Sequence, residues 1–366
     1  MFSYLLWNAD PELFTIGALT PRWYGLLFAL GFLLGQQVLI RMFKAEGKPE
    51  SDVETLTVYM VLSTIVGARL GHCLFYEPET YLADPIRILK IWEGGLASHG
   101  AAIAIFFALY FYARNKKGQS YLWVTDRMVV TVALAGCCIR LGNLMNSEII
   151  GKPSDVPWAF VFARSANDAL TTDFGGQLEA TQIRQTGQDT TVGGVPYTRL
   201  AFQTEFQPAV DEATANDLVQ RAFPAVLGET SRFREVNEHI RLVSGAYAPT
   251  VARKGDHFVA TFYAYGKPRH PAQLYEAMSC LVLFFLLYRF WSQRKENTPE
   301  GSITGLFMVG IFTLRFFYEF LKEPQVDFER EMVLNMGQWL SIPAVIFGLT
   351  LLVLSRRTAK QTGVRA

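Results

Sequence analysis

The chain has 366 residues, of which half are apolar, and a formal net charge of +1. A charge so near zero gives no indication of nucleic-acid binding, and there is no basic stripe interleaved with aromatic residues, so no nucleic-acid partner is expected. The mean hydropathy of +0.17 is an average over segments of very different character.

Seven apolar segments have the length of about 20 residues that an α-helix needs to cross a bilayer. Asp10 and Glu12 precede the first segment and no cleavage pattern follows it, so it is not typical of a secretory signal. The pattern predicts an all-α polytopic membrane protein with seven transmembrane helices and an extracytoplasmic α+β insert between helices four and five. The predicted helices cover residues 24–43, 55–76, 97–114, 121–143, 271–290, 303–322 and 335–354.

Basic residues follow the first, third, fifth and seventh segments, for example Arg41, Arg114, Arg294 and Arg357. By the positive-inside rule these ends are cytoplasmic, so the N-terminus is predicted outside and the C-terminus in the cytoplasm. The outside loop 77–96 is mildly amphipathic, which predicts a helix lying in the membrane interface.

Between helices four and five lies a polar stretch too long for a passive connection. Its segments TRLAFQTEF and HFVATFYAY alternate as strands do, whereas DEATANDLVQRAFPAVL has helical spacing and an acidic start. The predicted domains are 1–151 (helices one to four), 152–268 (the insert) and 269–366 (helices five to seven and a cytoplasmic tail).

The four cysteines all fall inside predicted helices, so none can crosslink the insert. We interpret them as small core residues. They are Cys73, Cys137, Cys138 and Cys280.

Ionisable and amide side chains gather at the helix ends that this topology places outside. Such groups are costly inside a bilayer and usually face a cavity or a functional path. Their common placement predicts one polar site in the outer leaflet. The side chains are Arg69, His72, Ser98, His99, Arg140, Asn143, Gln273, Tyr275, Glu276, Arg315, Glu319 and Gln338.

Arg140, Asn143 and Ser147 are spaced i, i+3 and i+7, which predicts one shared helical face. A guanidinium and an amide there can hold a phosphate, the first with its charge and fork of donors, the second with a further donor. Arg315 and Glu319, spaced i and i+4, either pair with one another or add a second cation for a phosphodiester whose charge grows as one ester bond breaks.

Single residues in this set also have structural interpretations. An arginine near a helix end, such as Arg69, often extends to lipid headgroups. His99 and His270 stand at helix starts, where a histidine is commonly a cap or a satisfied interface residue. Asp126 beside Arg127, near the inner end of helix four, is interpreted as a local cap or ion pair.

No metal or cofactor is expected. His72, His99 and His270 lack the i, i+4 spacing of a zinc helix, and the sequence has neither a cysteine cluster nor a P-loop, dinucleotide or GxSxG motif. Chemistry at the site therefore falls to His, Arg, Glu, Tyr and amide side chains.

Seven strings, in this order along the chain, resemble the prolipoprotein diacylglyceryl transferase family of bacterial membrane enzymes, and only the polar insert lies outside the resemblance. The resemblance implies transfer of the diacylglyceryl group of phosphatidylglycerol to the lipobox cysteine thiol of a preprolipoprotein in the inner membrane, giving a thioether and glycerol phosphate. The strings are RWYGLLFALGF, ARLGHCLFY, ADPIRILKIWEGGLASHGA, RLGNLMNSEIIG, RHPAQLYEA, GLFMVGIFTLRFFYEFLKEP and MGQWLSIP.

The resemblance also implies roles for individual residues. Arg140 and Arg315 are expected to hold the phosphate, and His99 is the candidate base for the thiol. The glutamates are interpreted as orienting the arginines, and Gly151 as a C-terminal turn at the rim. The expected catalytic residues are His99, Arg140 and Arg315, and the expected substrate-binding residues are Tyr24, Asn143, Glu148, Gly151, Glu276 and Glu319.

The chain departs from the family pattern at several positions. Ile139 replaces a common glycine, Leu144 a phenylalanine, and Ile311 a tyrosine whose hydroxyl is thereby lost. The insert is expected to be longer than the family's usual outer domain, which would alter how the preprotein is admitted.

The alternative function is a transporter or binder of an anionic solute or lipid, since intramembrane arginines also mark permeation paths. A path should carry charges across the whole bundle. Apart from Asp126 and Arg127 the inner half offers almost none, which favours a site open to the outer leaflet.

Overall fold

The structure is a computed structural model that describes residues 4–17, 20–90, 95–243, 245–323, 329 and 332–362, with side chains in the last helix described as far as Thr358. The chain forms two compact units from segments that alternate along the sequence. We call Met1–Leu26, Arg140–Glu276 and Tyr318–Asn335 the head unit, and Leu27–Ile139, Ala277–Phe317 and Met336–Ala366 the bundle unit.

The order of elements begins with a short strand and ends in a long helix, and the other strands lie between the helices Tyr121–Met145 and Ala272–Arg294. Short 3₁₀ helices cover Pro85–Leu89, Lys295–Asn297 and Glu319–Leu321, and a π-helical segment covers Leu218–Ala222. The elements are β1 (Leu5–Trp7), α1 (Trp23–Ala45), α2 (Glu50–Phe75), α3 (Pro78–Ala83), α4 (Ser98–Asn115), α5 (Tyr121–Met145), β2 (Phe160–Phe162), α6 (Arg164–Phe174), β3 (Leu178–Val192), β4 (Val195–Phe206), α7 (Glu212–Asp217), α8 (Phe223–Leu227), α9 (Arg234–His239), β5 (Ile240–Arg241), β6 (Thr250–Lys254), β7 (His257–Gly266), β8 (Pro268–Arg269), α10 (Ala272–Arg294), α11 (Ser302–Tyr318) and α12 (Met336–Thr362).

Each of the seven apolar segments corresponds to a long helix: α1, α2, α4, α5, α10, α11 and α12. Among the described residues, six of these are long and apolar enough to cross a membrane. The remaining helix, α4, has 18 residues, and its polar ends at Ser98, His99, Arg114 and Asn115 dilute its apolar middle. The count of seven spans therefore stays a prediction, and the description all-α applies to these helices alone because the head unit contains two sheets.

Large apolar side chains stand exposed on the outer faces of the long helices, as Leu33, Leu62, Phe285 and Leu340 do at 57–60% exposure. In water such contiguous apolar surface would favour aggregation, whereas lipid tails match it. The chain is a polytopic membrane protein.

Small residues let α2 and α4 approach closely in the bundle unit. A Cβ on Gly100 would lie 2.7 Å from Cα of Gly71 and 2.3 Å from the carbonyl oxygen of Gly67. Close backbone contact of this kind is a common source of helix packing in lipid, where apolar burial drives little association.

Two buried carboxylates join distant parts of the bundle unit. Asp126 caps the start of α11, accepting from the backbone nitrogens of Gly301 at 2.8 Å and Thr304 at 2.7 Å. Arg127 pairs with Glu46, with 2.7 Å between Nη2 and Oε2. Asp126 is therefore a cap, but its interpretation as a local one is wrong, because the helix that it caps is remote in the sequence. The partner of Arg127 is remote as well.

Arg69 holds the loop that follows α2. It is 2% exposed, and its guanidinium donates to the backbone oxygens of Arg87, Ile88 and Lys90 at 2.5–3.1 Å. Arg69 thus serves the loop fold rather than a headgroup or shared phosphate site. The loop 77–96 is helical in two short pieces broken at Asp84, and its residues 91–94 lie outside the described part.

The head unit contains a three-stranded sheet, in the order β1-β2-β8, and a five-stranded sheet, β3-β4-β7-β5 with β6 also on β7. Strands β4 and β7 and the helical run α7 to α8 confirm the three predicted segments of the insert. The inward side chains of β4 and β7 alternate with outward ones, and Phe202 stacks on Phe262 with ring centroids 5.0 Å apart beneath Phe223 of α8. The four cysteines are unbridged and buried, as predicted.

Candidate functional site

Arg140 stands in the last turns of α5 and is bound on two sides. Its Nε lies 2.5 Å from Oε2 of Glu276 in the first turns of α10, and its Nη1 donates to Oδ1 of Asn143 at 3.4 Å. The Arg140 side chain is 24% exposed. None of the residues that the structure describes accepts a hydrogen bond from Nη2, so one edge of the guanidinium remains able to bind an anion.

Lys322 extends this ion pair into a chain of alternating charges. Its buried ammonium contacts the other carboxylate oxygen of Glu276 and lies 3.1 Å from Oε1 of Glu319, whose Oε2 accepts from Asn335 at 3.0 Å. Each buried carboxylate thus has a cation beside it, which offsets the cost of removing the charges from water. Lys322 is not among the site residues predicted from the sequence, although its place three residues after Glu319 gave a signal.

Glu148 is held by amides in the loop that follows α5. Asn143 Nδ2 and Asn146 Nδ2 each donate to its carboxylate at 3.1 Å. Gln273 Nε2 donates to its backbone oxygen. Glu148 therefore fixes Asn143, and the oxygen of that amide faces Arg140.

The predicted helical face of Arg140, Asn143 and Ser147 is wrong at its last member. Helix α5 ends at Met145, and Ser147 and Ile149 have φ values of 54° and 57°. This left-handed backbone is uncommon outside glycine, and it takes Ser147 off the helical face.

Gly151 lies in an extended bridge with Lys322, with φ outside the left-handed region, so its interpretation as a C-terminal turn is wrong. Its nitrogen donates to the carbonyl of His270 at 3.1 Å. A Cβ at this position would lie 2.5 Å from that oxygen and 3.0 Å from the carbonyl oxygen of Leu321. Glycine is thus required by the close approach of two chain segments.

Tyr24 packs on α5 beside Arg140. A Cβ on Gly142 would lie 2.9 Å from Cδ2 of Tyr24, so the glycine permits the contact. Tyr24, Arg140, Asn143, Glu148, Gly151, Glu276 and Glu319 all belong to the head unit.

His270 is linked to two aromatic residues. Its Nδ1 lies 3.2 Å from the hydroxyl of Tyr275, which accepts from Trp158 Nε1 at 2.7 Å. Burial lowers the pKa of His270, which favours the neutral imidazole. His270 fits the structural interpretation of a satisfied interface histidine.

His99 and Arg315 belong to the bundle unit. His99 is exposed in the first turn of α4, with its ring centroid 5.5 Å from that of Phe75 and 5.7 Å from that of Tyr76. Arg315 is exposed in the last turn of α11. The described residues contain no group of three or more His, Cys, Asp or Glu side chains that could hold a metal ion.

Comparison with known proteins covers nearly the whole chain. The family model described as prolipoprotein diacylglyceryl transferase matches residues 11–354. A phosphatidylglycerol–prolipoprotein diacylglyceryl transferase from Chloroherpeton thalassium is 35% identical over 98% of this chain and 97% of its own length. Proteins of the same name from Tolumonas auensis and Porphyromonas gingivalis are 35% and 33% identical, each over 96% of this chain and over 98% and 94% of their own lengths.

These alignments run through the insert. The expectation that only the membrane part carries the resemblance is therefore wrong, and relatives of matching length carry a segment in the place of residues 152–268. Because the match covers almost the whole chain and the relatives share about a third of its residues, the chain belongs to the prolipoprotein diacylglyceryl transferase family.

Proposed function

We propose that this chain transfers the diacylglyceryl group of phosphatidylglycerol to the lipobox cysteine thiol of a preprolipoprotein, the first step of bacterial lipoprotein maturation. The products are a thioether and glycerol phosphate. Family membership supports the reaction, and the observation that carries the site assignment is Arg140, fixed by Glu276 and Asn143 with one guanidinium edge left for an anion.

The products define what the site must do. The cysteine thiol gives its proton to a base, and the thiolate forms a bond to the glyceryl carbon that bears the phosphate ester. The C–O bond breaks, and its electron pair stays on the oxygen of the departing glycerol phosphate. Negative charge therefore grows on the phosphate, where a cation lowers the barrier.

Arg140 takes the phosphate in this assignment. Glu276 and Lys322 act on Arg140 rather than on substrate, since Glu276 holds the Nε side of the guanidinium and Lys322 contacts the other carboxylate oxygen of Glu276. Asn143 offers its remaining amide hydrogen and Tyr24 its hydroxyl as further donors, while Glu148 orients Asn143. Glu319 positions Lys322, and Gly151 keeps the two chain segments of the rim in contact.

His99 is assigned as the base and Arg315 as the second phosphate cation. Both roles rest on the family motif and on the exposure of the two side chains. Among the described residues His99 has ring contacts with Phe75 and Tyr76 and no hydrogen-bond partner, which leaves both imidazole nitrogens for a thiol or water.

The enzyme is assigned to the bacterial inner membrane, with seven spans, the N-terminus outside, the C-terminus in the cytoplasm and the site toward the outer leaflet. The basic residues after alternate helices support this orientation. The division into 1–151, 152–268 and 269–366 follows from it, with the insert outside the cell membrane. The transporter or binder alternative draws no support from the comparisons.

The test uses purified full-length protein in phosphatidylglycerol vesicles with a lipobox peptide that bears either Cys or Ser. Release of glycerol phosphate should require the Cys peptide and coincide with a diacylglyceryl mass gain on it. Equal release with the Ser peptide would indicate a lipid hydrolase, and a folded protein that releases nothing would reject the transferase.

A further inference from the structure

A cavity of about 590 Å³ lies within the head unit. The loop of residues 146–150 forms one side and α9 another, with Arg269 and Glu323 completing the lining. This volume falls in the range of pockets that bind ligands of peptide or drug size. Neither Arg140 nor Glu276 lines the cavity, so it is distinct from the phosphate site.

Four side chains that line the cavity each carry a buried polar atom with no hydrogen-bond partner in the described part of the chain. These atoms are Asn146 Oδ1, Ser147 Oγ, His239 Nδ1 and Arg269 Nε. His239 and Arg269 are 7% and 3% exposed. Native proteins satisfy most buried polar atoms, so four in one cavity indicate that another molecule completes their bonding.

The charges of the cavity select among possible occupants. Among the described residues that line it, four carry carboxylates and two carry guanidiniums. Glu238 pairs with Arg234 at 3.1 Å and Glu323 with Arg269 at 2.9 Å, while Glu148 and Glu235 make no ion pair with described residues. This surplus of negative charge would repel a phosphate or a carboxylate. It would not repel a neutral ligand, and it would attract a basic one.

His239 adds no positive charge. Burial, with Arg269 and Lys267 nearby, lowers the pKa of His239 to about 3, so its imidazole is neutral at pH 7 and offers one donor and one acceptor. With the hydroxyl of Ser147, the amide oxygen of Asn146 and the N–H of Arg269, the cavity presents donors and acceptors together. An extended peptide carries the matching alternation of carbonyl and N–H groups.

Glu148 connects the cavity to the candidate site. It lines the cavity and holds Asn143, whose amide oxygen accepts from Arg140. We propose that this cavity binds the polypeptide that follows the lipobox cysteine of the preprolipoprotein and favours neutral or basic over acidic residues there. The proposal rests on the proposed function, because it requires a peptide whose cysteine reacts beside Arg140.

The experiment compares lipobox peptides of two lengths, one ending directly after the cysteine as an amide and one continuing for several residues with Lys, Ser or Asp at the second position after the cysteine. Diacylglyceryl transfer is measured as kcat/KM with wild-type protein, H239Q and E235Q in phosphatidylglycerol vesicles. H257Q is the matched control, since His257 lies in the same insert and outside the cavity.

We expect the wild type to prefer the long Lys or Ser peptide over the Asp peptide by about tenfold, the effect of roughly one unfavourable charge contact. H239Q should lower kcat/KM on the long peptide about 5- to 10-fold, as loss of one hydrogen bond does, and lower it less on the short peptide. E235Q should narrow the preference for Lys over Asp, and H257Q should behave as wild type.

Equal losses on short and long peptides in H239Q, together with an unchanged preference between Lys and Asp in E235Q, would overturn the proposal. Glu235 is exposed, so E235Q keeps the test valid if the buried H239Q substitution prevents folding. Failure of the proposed function has a different signature, because wild-type protein would then transfer a diacylglyceryl group to neither peptide.

Discussion

Two arginines in this chain sit in ionic networks of opposite character. Arg127 and Glu46 have side chains 0% and 1% exposed, the arginine donates from Nε, Nη1 and Nη2, and Trp291 donates to the same carboxylate. Arg140 is 24% exposed, and among the described residues its Nη2 has no acceptor. A network in which all three guanidinium nitrogens donate stabilises the fold, whereas one that leaves a nitrogen without an acceptor at an accessible edge can bind an anion.

The largest expected effect is on the stability of the network formed by Arg127 and Glu46. Arg127→Ala leaves Glu46 buried without its cation, so we expect a loss of about 3–5 kcal/mol in the free energy of unfolding. Denaturant unfolding in detergent measures it. The double variant Glu46→Leu with Arg127→Met should recover most of that loss, and glycerol phosphate release per folded molecule should stay at the wild-type rate. A loss of turnover with normal stability would place Arg127 in the chemistry and remove the distinction.

Arg140→Ala should have the opposite pattern, with little change in stability and a large loss of turnover. Glu276 keeps Lys322 as its cation, so the free energy of unfolding should change little. Turnover should fall about 10²- to 10³-fold, as when one donor to a developing negative charge is removed. Glycerol phosphate release per folded molecule measures this, with Arg127→Ala as the comparison. Normal turnover in Arg140→Ala would reject the phosphate role.

The long helices and the three insert elements follow from the sequence because local periodicity determines them. Segments of membrane length have few alternatives to a helix, and the alternation in residues 198–206 and 257–265 matches strands with one buried face. The count of spans does not follow in the same way, because the polar ends of α4 make its length and hydropathy marginal for a membrane span.

Pairing within the polar networks could not be predicted, because it depends on contacts between remote segments. Arg69, predicted as a member of the site, donates to the loop carbonyls, and Lys322, which was not predicted, lies between Glu276 and Glu319. Ser147 leaves the expected helical face because the backbone at Ser147 and Ile149 is left-handed. The spacing of polar residues carries no signal for this backbone conformation, so it could not be predicted.

Gly151→Ala tests whether the network of Arg140, Glu276 and Lys322 depends on backbone position as well as on charge. The new Cβ would lie 2.5 Å from the carbonyl oxygen of His270 and 2.6 Å from its Cβ, so the bridge to Lys322 must shift. We expect about 1–3 kcal/mol of destabilisation and at least tenfold slower turnover. Gly176→Ala is the control, because its Cβ meets nothing within 4 Å. Wild-type turnover in Gly151→Ala would show that the site tolerates displacement of Lys322.

The last expected effect develops only as the pH is lowered, and it concerns His239, a buried group that belongs to neither network. Its pKa is lowered to about 3 in the folded chain by burial and by Arg269, while an unfolded histidine titrates near about 6.5. Between these values the unfolded chain binds one more proton, so the stabilisation is complete above about pH 6.5. It is lost by about 1.4 kcal/mol per unit as pH falls toward about 3. Thermal unfolding between pH 7 and 4 should therefore show a slope that H239Q reduces and H257Q retains. An identical slope in H239Q would mean that other groups carry the acid sensitivity, and that the fold does not hold the His239 imidazole neutral.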